Sequence, residues 1–236
     1  GLLGILISLG SNGFGAAPPF QWVNVPGTSA VATSLAADGS GNLLVAFNSY
    51  GRSLDLGSGV ITGICVIAKC ANDGRWVWTK ELRPAEQLDG RIAVDGLGNT
   101  IFAGQIYRSR YDYGFYVARL DSSGGLNWEK SFVGLGRFYV GGVAVSTNGD
   151  YAIVGEFSGT RDFGGHSLST DGTPYSAFFV AKYDSSNALR WVRMSTSNAS
   201  DNGAAAVSMN SLGDVFVVGG YEGIISLNGN QLPVYG

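Results

Sequence analysis

The sequence is poor in the side chains that usually carry chemistry. Its 236 residues include two cysteines, one histidine, two methionines and six prolines. A closed zinc site takes about four cysteine and histidine ligands. Cys65, Cys70 and His166 are too few and lie at no ligand spacing, so neither a metal nor a bound cofactor is expected. Charged residues make up 14% of the chain, against roughly 25% in an average soluble domain. The net charge is −3 and the pI about 5.1. Proteins that track phosphates carry a strong basic footprint, so no nucleic-acid partner is expected. No apolar run reaches the ~20 residues of a membrane-spanning helix. No stretch keeps a helical period over about ten residues.

Glycine is plentiful, at 37 residues, and apolar side chains reach 45%. That apolar content supports a packed core and excludes a disordered chain. The glycines have no three-residue period, which excludes collagen. Many glycines with few charges predict tight turns joining strands that are covered on both faces. The length allows one or two domains, and all-β units of about 200–250 residues are commonly single.

Cys65 and Cys70 lie in one apolar run, 64–70. On a strand, residues five apart point to opposite faces, so a disulfide is not expected and both thiols are expected to pack as small hydrophobes. His166 falls in a turn-like segment with no evident orienting partner, which argues against a Cys–His nucleophile.

The start, Gly1-Leu2-Leu3-Gly4-Ile5-Leu6-Ile7-Ser8-Leu9, is similar to the end of a secretory h-region, and Gly13-Phe14-Gly15 provides a small-x-small site. Residues 1–19 are therefore expected to be a leader remnant, which places the protein outside the cytoplasm. The other reading is an apolar N-terminal strand.

Internal repetition organises the rest. A Gly-Asn or Gly-Asp pair before an apolar run occurs at Gly41-Asn42, Gly98-Asn99, Gly149-Asp150 and Gly213-Asp214, spaced 57, 51 and 64. Trp22, Trp78, Trp128 and Trp191 follow spacings of 56, 50 and 63. Two unrelated markers drifting together define one repeated unit. A third marker places Lys69, Arg119 and Lys182 after an alanine, each followed by a turn. Each unit reads as four short strands: a (34–37, 91–95, 142–146, 205–209), b after the Gly-Asn/Asp turn, c with the Ala-Lys/Arg pair, and d with the tryptophan.

A four-stranded antiparallel unit repeating every ~50–60 residues is the mark of a β-propeller blade. The expected fold is all-β: an incomplete propeller of four-stranded blades over 20–236, with repeats near 26–82, 83–132, 133–194 and 195–236. That is about three and a half blades, plus a lone N-terminal strand 20–25 carrying Trp22. A ring of about seven such units would take on the order of 380 residues, so the chain is expected to be part of a longer protein. Open sheet edges would then favour self-association. The tryptophans are expected to plug gaps between blades. Lys69, Arg119 and Lys182 are expected to bond a neighbouring blade's carbonyls or an aspartate.

On Phe179-Val180-Ala181-Lys182-Tyr183-Asp184 and the turn Asp162-Phe163-Gly164-Gly165, the sequence resembles the bacterial β-propeller repeat (SBBP) of secreted and cell-surface proteins. The resemblance covers about 20–236. It departs in the second unit, where the b–c connection shrinks to 106–114, and in the first, where Cys70 replaces an aromatic. It implies an extracellular propeller and brings no catalytic residues with it.

Asp-Gly turns such as Asp38-Gly39-Ser40-Gly41-Asn42 offer one or two carboxylates each, whereas calcium takes six to eight oxygens. Hairpin geometry accounts for them. Asp121–Trp128 and Asp184–Trp191 are seven apart. Neither the aspartate box of sialidases nor the tryptophan-docking repeat of quinone-dependent dehydrogenases fits that spacing without a shift.

Binding is expected on the rim where the d–a and b–c loops project. The segment with Tyr107, Arg108, Arg110, Tyr111 and Tyr113 has the composition of an interaction hot spot. Glu86, Asp89, Phe138, Tyr139 and Asp201 are expected to share that rim. The expected role is an extracellular structural or interaction module that binds a protein or glycan and catalyses nothing. The alternative is an extracellular lyase or glycosidase using rim carboxylates and tyrosines.

Overall fold

The computed structural model describes residues 6–9, 20–24, 30–57, 59–82, 87–109, 112–171, 175–197, 203–227 and 229–232. The protein is all-β, with antiparallel sheets and no helix among the described residues. No helix there is long and apolar enough to cross a membrane.

An N-terminal hairpin joins β1 (Leu6–Leu9) to β2 (Phe20–Asn24). The strand carrying Trp22 is therefore not alone. The segment expected to be a leader supplies its partner, with Ile7 opposite Val23.

The first sheet runs in order through β3 (Val31–Ala37), β4 (Leu43–Asn48), β7 (Cys65–Cys70) and β8 (Trp76–Leu82), with a small hairpin, β5 (Leu54–Asp55) and β6 (Val60–Ile61), between its second and third strands. The second sheet is an uninterrupted meander of β9 (Gln87–Val94), β10 (Thr100–Ser109), β11 (Asp112–Leu120) and β12 (Leu126–Leu135). The third has β13 (Phe138–Val145), β14 (Tyr151–Phe157), β17 (Ala177–Tyr183) and β18 (Leu189–Ser197), with the hairpin β15 (Thr160–Asp162) and β16 (Ser167–Ser169) in the equivalent place. A two-stranded sheet follows, β19 (Gly203–Met209) with β20 (Val215–Gly220).

The third sheet has six strands, not four. The hairpin of β21 (Ile225–Leu227) and β22 (Asn230–Gln231) pairs with the end of β18, Ser195 opposite Leu227. The β15–β16 hairpin likewise packs against β12 of the preceding sheet. In these two units the excursion after the second strand thus leans back onto the last strand of the unit before it.

Turn chemistry sets the strand boundaries. Asp38 Oδ1 accepts from the Ser40 and Asn42 amides at 2.9 Å each, and Asn42 Nδ2 donates to Asp38 Oδ2 at 2.9 Å. Asp95 repeats this with the Leu97 and Asn99 amides. Asn210 does so with the Leu212 and Asp214 amides. The carboxylates that superficially suggest calcium loops bond the turns they sit in.

The sheets stack face to face. β3 lies against β9, β9 against β13 and β13 against β19. Along β10, Phe102 enters the cluster shared with Leu44, Ile67 and Cys65, while Ile101 and Ala103 enter the opposite cluster with Val140 and Ile153. Along β4, Leu44 and Ala46 face one cluster and Val45 and Phe47 another. Burial on both faces is why these strands read as continuous apolar runs. The approach of β13 to β19 leaves no room for a Cβ at Gly141, which would run into the Ala204 carbonyl. Cys65 and Cys70 are both free and buried at opposite ends of β7.

Candidate functional site

The sheets present two ends. The a–b and c–d turns gather at one, and the opposite strand ends, with the β5–β6 and β15–β16 hairpins, gather at the other.

At the turn end, the repeated basic residues are latches. Lys69 pairs with Asp38 at 2.9 Å and its Nζ lies 3.5 Å from the Ser122 carbonyl of the second sheet. Arg119 pairs with Asp95 at 2.8 Å and donates to the Gly149 carbonyl of the third sheet at 3.0 Å. Lys182 donates to the Gly213 carbonyl of the β19–β20 turn at 2.6 Å. Each cation therefore bridges to the next unit. Ser146 stands where the first two units have aspartate. Burial works to raise the Asp38 carboxyl, but bonds from Lys69, Asn42 and Ser40 outweigh it and hold the pKa at about 2.

The tryptophans also look across unit boundaries. Trp78 Nε1 donates to the Ser122 carbonyl at 3.1 Å. Its ring covers Gly124, where a Cβ would lie 2.7 Å from it. Trp128 lies 6.0 Å from Tyr151 of the third sheet. Trp191 lines an apolar cavity of about 460 Å³ with Val215 and Val217. The Trp22 side chain is outside the described residues.

At the loop end, a cavity of about 310 Å³ is lined by Thr33 and Tyr50 of the first unit, Asp89, Arg91 and Gln105 of the second, and Tyr139 of the third. Asn48 Nδ2 donates to Asp89 Oδ1 at 2.7 Å. Arg91 Nη2 donates to the Tyr139 hydroxyl at 3.1 Å. Gln105 Nε2 bonds the Tyr107 hydroxyl, and Tyr107 and Tyr113 meet edge to face at 5.3 Å. Burial, then the charge of Asp89 and the phenols of Tyr113 and Tyr139, raise the Tyr107 hydroxyl above its ordinary value, against the lowering effect of the Gln105 bond. It stays a neutral phenol at physiological pH. Gln105 is 5% exposed, and its Oε1 is buried with no hydrogen-bond partner. An amide oxygen and nitrogen exchange places on a flip, so in either orientation one polar atom of this side chain is left without a partner in the fold.

The structure thus brings together Asp89, Tyr107, Tyr113 and Tyr139 from the expected rim. Phe138 is a correction. It is 3% exposed and stacks on Phe115 at 4.8 Å inside the core, because neighbours on a strand point to opposite faces and Tyr139 takes the outer one. Arg108 is described only as backbone of β10, and Glu86, Arg110, Tyr111 and Asp201 lie outside the described residues. Sequence reasoning did not single out Asn48, Arg91 or Gln105. A signal for two of them was present: Asn48, Gln105 and Glu156 are spaced by the repeat and are polar where strand b is otherwise apolar.

Among the described residues, no three histidine, cysteine, aspartate or glutamate side chains gather where a metal could sit. Burial pushes the Cys65 thiol well above its ordinary value and, with the charge of Asp73, pushes Cys70 up to about 11. Neither is an activated nucleophile.

No protein-family model matches the chain, and no curated protein does.

Proposed function

We propose that the chain is an extracellular interaction module with β-propeller architecture, related to the bacterial β-propeller repeat, and that it holds its ligand at the loop end. Three consecutive meanders stacked face to face, with their first strands side by side, support the propeller reading. The resemblance to the repeat of secreted and cell-surface proteins supports export. One observation carries the binding reading: three different units line one cavity, and its polar lining includes Gln105, a nearly buried amide whose oxygen has no partner in the fold.

The test is surface plasmon resonance of the immobilised chain against bacterial surface polysaccharides and purified surface proteins. At least one should bind, and Arg91→Ala should abolish that binding without lowering the melting temperature. Binding that survives both Arg91→Ala and Tyr139→Ala would move the site elsewhere.

A second reading, a polysaccharide-active lyase or glycosidase, has one observation in its favour. The Arg91 guanidinium fixes the Tyr139 hydroxyl beside the cavity, as an enzyme that relays a proton through a tyrosine requires. Turnover of any polysaccharide, lost in Tyr139→Phe, would establish that reading in place of the first.

A further inference from the structure

We infer that the loop-end cavity is a subsite for a single uncharged sugar ring. This rests on the loop-end binding reading above and deepens it by naming the ligand class.

The cavity offers both signs of hydrogen-bond partner at close quarters. Gln105 Oε1 is an acceptor with no donor. Asp89 is a second acceptor group, and Arg91 and the Tyr139 hydroxyl can donate. A sugar ring carries several hydroxyls that each donate and accept, so one ring offers partners to the Gln105 amide and to the Arg91 guanidinium together. A ligand that only accepts, such as a phosphate, leaves the Gln105 oxygen unmet and faces the Asp89 carboxylate. A ligand that only donates, such as an ammonium, faces Arg91.

Charge and size point the same way. The described lining carries one carboxylate and one guanidinium, so neither sign of ligand charge is favoured. The volume of about 310 Å³ sits at the small end of the ~300–1,000 Å³ range of ligand cavities. That suits one pyranose ring and excludes a dinucleotide. Tyr50 and Tyr139 also line the cavity and are 53% and 41% exposed, and an aromatic ring suits the C–H face of a pyranose.

Saturation-transfer NMR on the intact chain tests this, with the methyl glycosides of glucose, galactose, mannose and N-acetylglucosamine as probes and free glycine as a zwitterionic control. At least one glycoside should take up saturation on its ring protons, and glycine should not. Gln105→Leu should weaken that glycoside at least tenfold. Gln105→Glu, which keeps the acceptor and matches Glu156 at the same repeat position, should stay within about threefold. If Gln105→Leu does not fold, Arg91→Lys should weaken the glycoside by a similar factor. Silence from all four glycosides, binding of glycine in their place, or unchanged affinity in the Gln105→Leu or Arg91→Lys variant each overturns the sugar assignment. If the sugars fail while Arg91→Ala still abolishes capture of a surface partner, only the ligand class falls. If Arg91→Ala leaves that capture intact, the loop-end reading falls with it.

Discussion

Arg119 and Asp95 form an ion pair at 2.8 Å within the second unit, and the same guanidinium donates to the Gly149 carbonyl of the third. The Asp95 side chain is 1% exposed. Removing one partner of a buried pair leaves the other charge uncompensated, at a cost of roughly 3–5 kcal/mol. Arg119→Ala should therefore destabilise by that amount in urea titrations. The double variant Arg119→Met with Asp95→Ala should recover part of it. A loss under about 1 kcal/mol, the range of surface pairs, would contradict the latch.

Asp38 gives the acid limb of stability its direction. Its pKa is held at about 2 in the fold, below its ordinary value of 3.8. A carboxyl lowered on folding contributes stability at neutral pH, and this is lost as pH falls through the folded value. Roughly 1–2 kcal/mol should vanish between about pH 5 and pH 2, allowing for solvent screening. Asp121 and Asp184 are lowered as well, first by the Ser123 and Ser186 hydroxyls. Melting curves across this range should show Asp38→Asn with a flatter acid limb than the parent. Parallel curves would argue against the Lys69–Asp38 pair.

Gly141 should not tolerate alanine. The new Cβ would meet the Ala204 carbonyl, and overpacking of this kind costs roughly 1–3 kcal/mol. A melting temperature unchanged in Gly141→Ala would mean β13 and β19 are further apart.

Both thiols should be silent in the native protein. Cys65 and Cys70 are buried, and burial raises both pKa values. Ellman's reagent should titrate no thiol before unfolding and two after it. Fast labelling of the native protein would contradict the packing of β7.

The open edge of β20 should be sticky. Among the described residues its one ladder partner is β19, and Phe216 and Val218 are exposed. Unpaired, apolar edges invite strand pairing. Light scattering should show association rising with concentration, and Val218→Lys should suppress it. A parent that stays monomeric at high concentration would contradict this.

The strand plan was legible because glycine and tryptophan mark the same unit at two places, and stacking buries both faces of a strand. Trp78 and Trp128 could be assigned to strand d from spacing alone. The ion pairs were half legible. Lys69 and Arg119 stand out in the sequence, but Asp38 reads as a turn residue and Asp95 as the end of strand a, since nothing in a linear repeat says that the end of strand c returns to the a–b turn. The cavity was less legible still. Asp89 and Tyr139 lie in different units and meet only through the stacking. Gln105 follows the apolar run that marks strand b, and the ladder continues past it to Ser109. Phe138 was misplaced because a loop-like neighbourhood hides a one-residue alternation. The β21–β22 hairpin joined an earlier sheet because Ser195–Ser197 of β18 offered it a free edge.

Face-to-face stacking of the repeated sheets is the claim on which the latches and the cavity depend. Nuclear Overhauser contacts across unit boundaries test it directly, from the Trp78 ring to the α protons of Gly124 and from Gly141 to Ala205. Both sets should be strong, since these groups lie in van der Waals range. Their absence, with the ladders inside each sheet intact, would contradict the account.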